Sequence, residues 1–354
     1  MCNTSIDLIS SYKEFYEKLI SYDTKAKGFY FNKDRKYWVV YGYEDCSNLL
    51  SNAYVSKKRM LIPLELFDKE MDLVERFLHL INKSIIFRDD KKSGVVRLIH
   101  DNYKKIDILY IIERFLGKEK IIDEQNLSKL NNYLASLLVG FESDISLTKH
   151  AENVGMLFDG RVRDKEHFIS IVKSFLIIFD VFKRFYNTTD INTSDIVVTY
   201  IAAHQTTMQL IVASLYNIYK FNLSVTRENV RDIITESSRL CSPILCMGRI
   251  VTQNINYKDF IFKKGDRIMF YTGMANFDPN VFKNPFEFSL NRYEKPLSFG
   301  SGVHMCIGMG ISLSFSSKCV DFICSNYSIK NVSVFELIKG VSSLGAFRFS
   351  IEVG

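Results

Sequence analysis

Phe299-Gly300-Ser301-Gly302-Val303-His304-Met305-Cys306-Ile307-Gly308 sets one cysteine among three glycines, with a phenylalanine seven residues before it and a histidine two residues before it. Glycine tolerates positive φ and close backbone approach. Such a loop lets the backbone pass close to a large flat ligand and leaves one thiol aimed at the ligand's centre. A thiolate held this way suits iron ligation, and amide N–H groups directed at the sulfur would tune it. A free buried cysteine in a glycine-rich turn is the plainer reading. The complete pattern argues against it.

Four other stretches carry side chains that could do chemistry. Ala202-Ala203-His204-Gln205-Thr206-Thr207 lies inside the apolar run Ile196 to Leu215 and offers a hydroxyl and an amide. Gln205 can hydrogen-bond water but cannot change charge near neutral pH. Glu236-Ser237-Ser238-Arg239 puts an acid and a base on one helix face, where they can pair. Met274-Ala275-Asn276-Phe277-Asp278-Pro279 runs on to Phe282, Pro285, Phe288 and Arg292. Asp89-Asp90-Lys91-Lys92-Ser93-Gly94-Val95-Val96-Arg97 ends on a guanidinium that could meet a carboxylate. His79, His100, His150 and His167 show no metal-ligand spacing, and no glycine-rich phosphate loop is present.

The cysteine loop fills every fixed position of the haem-binding pattern F-x-x-G-x-H-x-C-x-G, and the chain resembles the cytochrome P450 family. The other stretches resemble that family's distal helix, its E-x-x-R helix, its meander and its C-helix, in the right order. The resemblance implies heme b with Cys306 as the axial thiolate, and Phe299, Gly300 and Gly308 against the cofactor. Arg97, Arg249 and His304 match the partners of the haem propionates. Thr206 and Gln205 match the catalytic positions that hold dioxygen and its waters, and Ala203 takes the place of the family's glycine at the distal face. His204 matches a position that points away from the haem.

There are departures. Gln205 replaces an acid, so protons must come through water, another group or the substrate. Ser93 stands where the C-helix has histidine. Phe277 takes the meander's arginine position, and Glu287 sits where many members place the third residue of a Glu-Arg-Arg triad, with Arg292 as a candidate substitute. The span from Arg97 to Thr206 is short, which points to a reduced lid over the substrate.

Stepping outward from these residues, the chain must build helices to carry them. It has 354 residues, 47% apolar and 24% charged, with 28 Phe and 19 Tyr, enough to bury a core around a cofactor. No proline occurs from Leu64 to Ser242, which reads as helices. Leu8 to Tyr22 and Tyr43 to Leu50 have helical patterns, and Tyr37 to Tyr41 reads as a strand. The region after Ser242, with four of the five prolines, reads as loops, short strands and meander. The expected fold is mainly α with small β-sheets, the cytochrome P450 fold, as a single domain over residues 1–354.

Net charge is +6 without a basic block, which does not suggest nucleic acid. Seven cysteines, an odd number with no C-x-x-C pair, argue against a disulfide framework and for a reducing, cytoplasmic setting. No signal segment or membrane anchor is expected. The resemblance implies a monooxygenase that oxidises a small, mostly apolar metabolite, in secondary-metabolite tailoring. It would use O2 and electrons from a ferredoxin or flavodoxin-type partner. Oxidative coupling without oxygen insertion, and a degenerate haem-binding homologue acting as a partner protein, remain open on the sequence.

Overall fold

The computed structural model describes residues 5–23, 27–57, 63–67, 69–89, 93–141, 145–302 and 305–354. In chain order the helices are α1 (Leu8–Ile20), α2 (Tyr43–Leu50), α3 (Met71–Ile81), α4 (Gly94–Tyr103), α5 (Ile108–Leu116), α6 (Glu124–Val139), α7 (Ile145–Phe158), α8 (Lys165–Tyr186), α9 (Asp190–Lys220), α10 (Val230–Leu240), α11 (Thr272–Ala275) and α12 (Met309–Asn326). The strands are β1 (Phe29–Asn32), β2 (Tyr37–Val40), β3 (Val55–Ser56), β4 (Ile121–Asp123), β5 (Met247–Val251), β6 (Ile255–Tyr257), β7 (Phe260–Phe262), β8 (Arg267–Phe270), β9 (Ile329–Lys339) and β10 (Leu344–Val353). Helix starts follow local chemistry: Asp7, Ser93 and Asp164 each cap a helix by accepting from a backbone N–H, that of Ser10, Val95 and His167 respectively.

The chain divides into two compact units. The first comprises Met1–Ser56, Ile108–Leu127 and Thr207–Gly354. Its five-stranded sheet has the order β1-β2-β8-β5-β3, with β2 and β8 parallel and the other pairs antiparallel. Phe29, Val40, Leu49, Leu50, Phe262 and Phe270 form its core with Leu297, which stands at the entrance to the cysteine loop. Each such side chain contributes roughly 1.5–3 kcal/mol when fully buried. A second sheet orders β4-β10-β9, and α10 packs against α12.

The second unit comprises Lys57–Asp107 and Ser128–Thr206. The stretch from Leu127 to Asn192, which shows no family pattern, folds as α6, α7, α8 and the start of α9. Six residues join α7 to α8, and the two helices pack on each other. Asn153 on α7 donates to Ser170 and Ser174 on α8, and His167 and His150 complete that polar seam. Phe77, Phe168 and Phe175 meet edge-on beneath it.

One expectation needs correction. The C-terminal region is more regular than loops and meander: α12 runs 18 residues directly after the cysteine loop, and β9 and β10 run 11 and 10 residues. The last proline is Pro296, so proline gave no reason to deny structure beyond it. The helix α9 is long and apolar enough to cross a membrane by length and composition, and 72% of its most apolar window is buried inside the protein. Burial accounts for that apolarity, as in a core helix.

Asp195 near the start of α9 organises the second unit. Its carboxylate accepts from Ile85 N at 2.7 Å, Arg88 Nη2 at 2.8 Å and Ser93 Oγ at 2.6 Å. Asp195→Ala strands three donors at a buried position, and urea unfolding should show a loss of about 3 kcal/mol. Ser93→Ala should cost about 1 kcal/mol, as the loss of a helix cap and one bond. Equal, small losses from both would remove Asp195 from that organising place.

Candidate functional site

Glu236 and Arg239 fall one helical turn apart on α10 and are both buried. Arg239 Nε and Nη2 reach the two Glu236 oxygens at 2.8 Å each, the bidentate geometry that suits guanidinium and carboxylate. Arg292 supplies the third member: its Nε donates to Glu236 Oε1 at 2.9 Å, with a side chain only 10% exposed. Glu287 takes no part in the triad through its side chain, which accepts from Asn284 Nδ2. Its carbonyl instead receives both arginines, at 3.0 Å from Arg239 and 2.9 Å from Arg292.

The remaining guanidinium donors are spent on the meander. Arg239 Nη1 reaches the carbonyls of Asn276 and Pro285, and Arg292 reaches those of Lys283 and Asn284. Phe282 lies under both arginines. At position 277 an aromatic cluster replaces the family's arginine: Phe277 is fully buried, stacks on Phe286 at 4.9 Å and meets Tyr16 at 5.8 Å.

Asn276 passes this order to the cysteine loop. Its Oδ1 accepts from Leu297 N at 2.7 Å and its Nδ2 donates to Ser298 Oγ at 2.9 Å. Ser298 Oγ in turn donates to the Ser238 carbonyl of α10 at 2.7 Å. Leu297–Phe299 is one 3-10 turn, and the Phe299 carbonyl accepts from Cys306 N at 2.9 Å. Gly300 and Gly302 both have positive φ, and a Cβ on Gly302 would lie 2.9 Å from Ser51 Oγ. Two glycines are therefore needed to fold the loop onto the end of α2.

Cys306 is exposed, whereas Cys46, Cys241, Cys246 and Cys319 are buried and Cys324 is half-buried. Crowding by the protein atoms around this opening raises the thiol above its ordinary pKa, and hydrogen bonds from the N–H of Gly308 and Met309 oppose that rise. An exposed cysteine whose sulfur meets two amide donors fits an iron-bound thiolate, since the donors favour the charged form. The loop residues present thus fit haem. His304 lies outside the described residues.

On α9, Ala203, Gln205 and Thr206 are half-buried. Thr206 Oγ1 donates to the Ala202 carbonyl at 3.0 Å, so the hydroxyl closes on its own helix. Gln205 Oε1 is 3.5 Å from Arg161 Nη2. That arginine carries no family signal; the turn residues Asp159-Gly160-Arg161 were the only sequence trace of it. His204 is buried, with Nδ1 donating to the Tyr200 carbonyl at 2.6 Å and Nε2 without a hydrogen-bond partner among the described residues. Burial pushes its pKa down to about 4, only partly opposed by the Tyr200 bond.

Two more expected cofactor residues lie as follows. Arg97 on α4 pairs with Asp101 at 3.3 Å and its side chain is 89% exposed. Arg249 on β5 donates to the Gly248 carbonyl and contacts Met247 Sδ. Ser93, at the family's histidine position, is committed to capping α4 and to Asp195. The segments Ile244–Leu245 and Ser342–Leu344 run side by side, through Leu245 N to Ser342 O at 2.8 Å and a bridge between Ile244 and Ser343.

Against known proteins, the family model described as Cytochrome P450 matches residues 226–334. "Biotin biosynthesis cytochrome P450" of Bacillus subtilis is 29% identical over 142 residues, 38% of this chain and 36% of that protein. "Cytochrome P450 119" of Sulfurisphaera tokodaii is 21% identical over 337 residues, 84% of this chain and 89% of that protein. Among solved structures, P450BioI in complex with hexadec-9Z-enoic acid ligated acyl carrier protein matches with a TM-score of 0.81 at 17% identity, over 98% of this chain and 100% of that one. At that identity the likeness shows the fold.

The triad makes Arg292→Ala costly: about 3 kcal/mol by urea unfolding, because Glu236 loses a partner and three carbonyl contacts go with it. Arg292→Lys should recover only part of this, since an ammonium cannot bridge the same acceptors. His204 gives a pH signature. Unfolded it takes a proton near 6.5 and folded only near 4, so its contribution is complete above pH 6.5 and is lost as pH falls from there toward 4. The loss is up to ~3 kcal/mol. His204→Asn, which keeps a donor for the Tyr200 carbonyl, should flatten that part of the stability–pH curve. An identical curve would contradict the assignment.

Proposed function

The chain belongs to the cytochrome P450 family of haem-thiolate enzymes, and from that premise we propose that it is a monooxygenase of a small, mostly apolar metabolite. Residues 1–354 serve as one catalytic domain in the cytoplasm, supplied with electrons by a separate ferredoxin or flavodoxin-type protein. The observation that carries this reading is Cys306: an exposed thiol with the N–H groups of Gly308 and Met309 at its sulfur, in a loop tied by Asn276 and Ser298 to a buried ion triad.

In this reading Cys306 is the axial ligand, and Phe299, Gly300 and Gly308 lie against the cofactor. Arg97, Arg249 and His304 meet the propionates, and Ala203 faces the distal side. Bound haem supplies the oxygen activation, with thiolate donation favouring O–O cleavage. Thr206 and Gln205 hold water by hydrogen bonds. Gln205 provides donors and an acceptor but no mobile proton, so the net proton reaches the site through those waters or a substrate group. By their order, α7 and α8 stand in the place of the family's lid helices, and a link of only six residues joins them.

The relatives favour biosynthetic tailoring over breakdown, since they include a biotin-biosynthesis P450 and "Polyketide biosynthesis cytochrome P450 PksS" of Bacillus subtilis, 37% identical over 83 residues. A second substrate form is an acyl chain delivered by a carrier protein. It is favoured by the likeness to the P450BioI complex and by a net charge of +6, which suits an acidic partner.

The test is the Soret spectrum of the purified protein during titration with cyclic dipeptides, aromatic amino acids, terpenes, free fatty acids and an acyl carrier protein loaded with hexadec-9Z-enoic acid. A thiolate-ligated resting spectrum that Cys306→Ser abolishes, with a low-to-high spin shift for one class, is the expected result. A shift with the loaded carrier protein but not with the free acid selects the tethered form. A resting spectrum unchanged by Cys306→Ser removes the proposal.

A further inference from the structure

Asp159, Gly160 and Arg161 end α7 in a tight wrap. Gly160 sits at φ +70°, in the left-handed region. The N–H groups of Gly160 and Arg161 return to the carbonyls of Leu157 and Met156, which closes the helix. That turn folds Arg161 back onto Asp159. Its Nε and Nη2 reach Asp159 Oδ2 at 3.1 and 2.5 Å, with side chains 22% and 11% exposed. From there Nη2 also addresses Gln205 Oε1 on α9 at 3.5 Å.

A guanidinium only donates. Beside it, the Gln205 amide must turn its oxygen toward Arg161 and its two N–H bonds away. A carboxylate in the same place would pair with Arg161 and stay ionised. It would then neither donate a hydrogen bond nor release a proton near neutral pH. The amide keeps its donors at every pH. The amide at position 205 and the arginine from the α7–α8 turn are therefore matched partners.

We infer that Arg161, anchored by Asp159, is the positioning residue for Gln205, and that the three side chains form a matched set presenting a fixed hydrogen-bond donor where relatives carry a titrating acid. The catalytic purpose of that donor rests on the monooxygenase reading; the positioning does not. The set ties the α7–α8 turn to α9, so movement of that turn would release Gln205.

A double-mutant cycle on the haem-loaded protein tests this. Arg161→Gln, Gln205→Glu and the double variant are unfolded in urea at about pH 8 and about pH 5. With Arg161 present, Gln205→Glu gains a partner; without it, the new carboxylate is left unpaired. The expected coupling is about ten-fold in the folding equilibrium constant near pH 8, shrinking to about two-fold or less near pH 5, where the unpaired carboxyl takes a proton. Arg161→Lys, which keeps the charge, should restore part of the coupling. An arginine that does not face position 205 would give no coupling at either pH. Additive effects at both pH values, or a pH-independent coupling, overturn the inference. The visible spectra of the same samples read the other premise. Coupling in a protein that shows no thiolate-ligated haem would leave the positioning standing and remove the monooxygenase reading.

Discussion

One buried carboxylate holds much of this molecule in register. Glu236 is shared by two arginines, and taking three charges out of water is unfavourable unless nearly every donor and acceptor finds a partner. Here the partners are backbone carbonyls between residues 276 and 287, so satisfying the ions fixes the path of the meander. Asn276 converts that path into the position of Leu297 and Ser298, and the next carbonyl, that of Phe299, takes the N–H of Cys306. The thiolate inherits its place from an ion cluster that it does not touch.

The same logic explains why sequence departures in this region are tolerated. An arginine at 277 would add a further charge to a site already balanced by Arg239 and Arg292. Phe277 instead fills its space by stacking on Phe286, and the charge balance stays with residues that have carbonyls to meet. On α9 a cation from the α7–α8 turn faces the Gln205 amide, at a position where the resemblance implies an acid.

Much of this was legible in the residues. The cysteine loop and the long proline-free stretch each have one physical meaning strong enough to survive out of context, whereas the i, i+3 pair Glu236 and Arg239 took its meaning from its place ahead of the meander and the cysteine loop. Arg292 could be named as a candidate but not assigned, because its partner lies 56 residues away and only the folded meander brings them together. Ser93 could be seen as a missing histidine, not as the cap of α4 and a partner of Asp195. Arg161 left only the trace of a glycine turn, because its role depends on a left-handed glycine turning it toward another helix. The regular C-terminal elements were missed because prolines clustered before residue 297 were read as a property of the whole region.

Amide hydrogen exchange across residues 297–309 in Glu236→Gln, compared with the unaltered protein, tests the central claim most directly. If the triad positions the thiolate loop, exchange at the N–H groups of Cys306, Gly308 and Met309 accelerates by about ten-fold or more, as a local stability loss of roughly 1.4 kcal/mol requires, while β1 and β2 keep their protection. Unchanged protection in the loop would show that it holds its shape without the carboxylate, and would contradict the account.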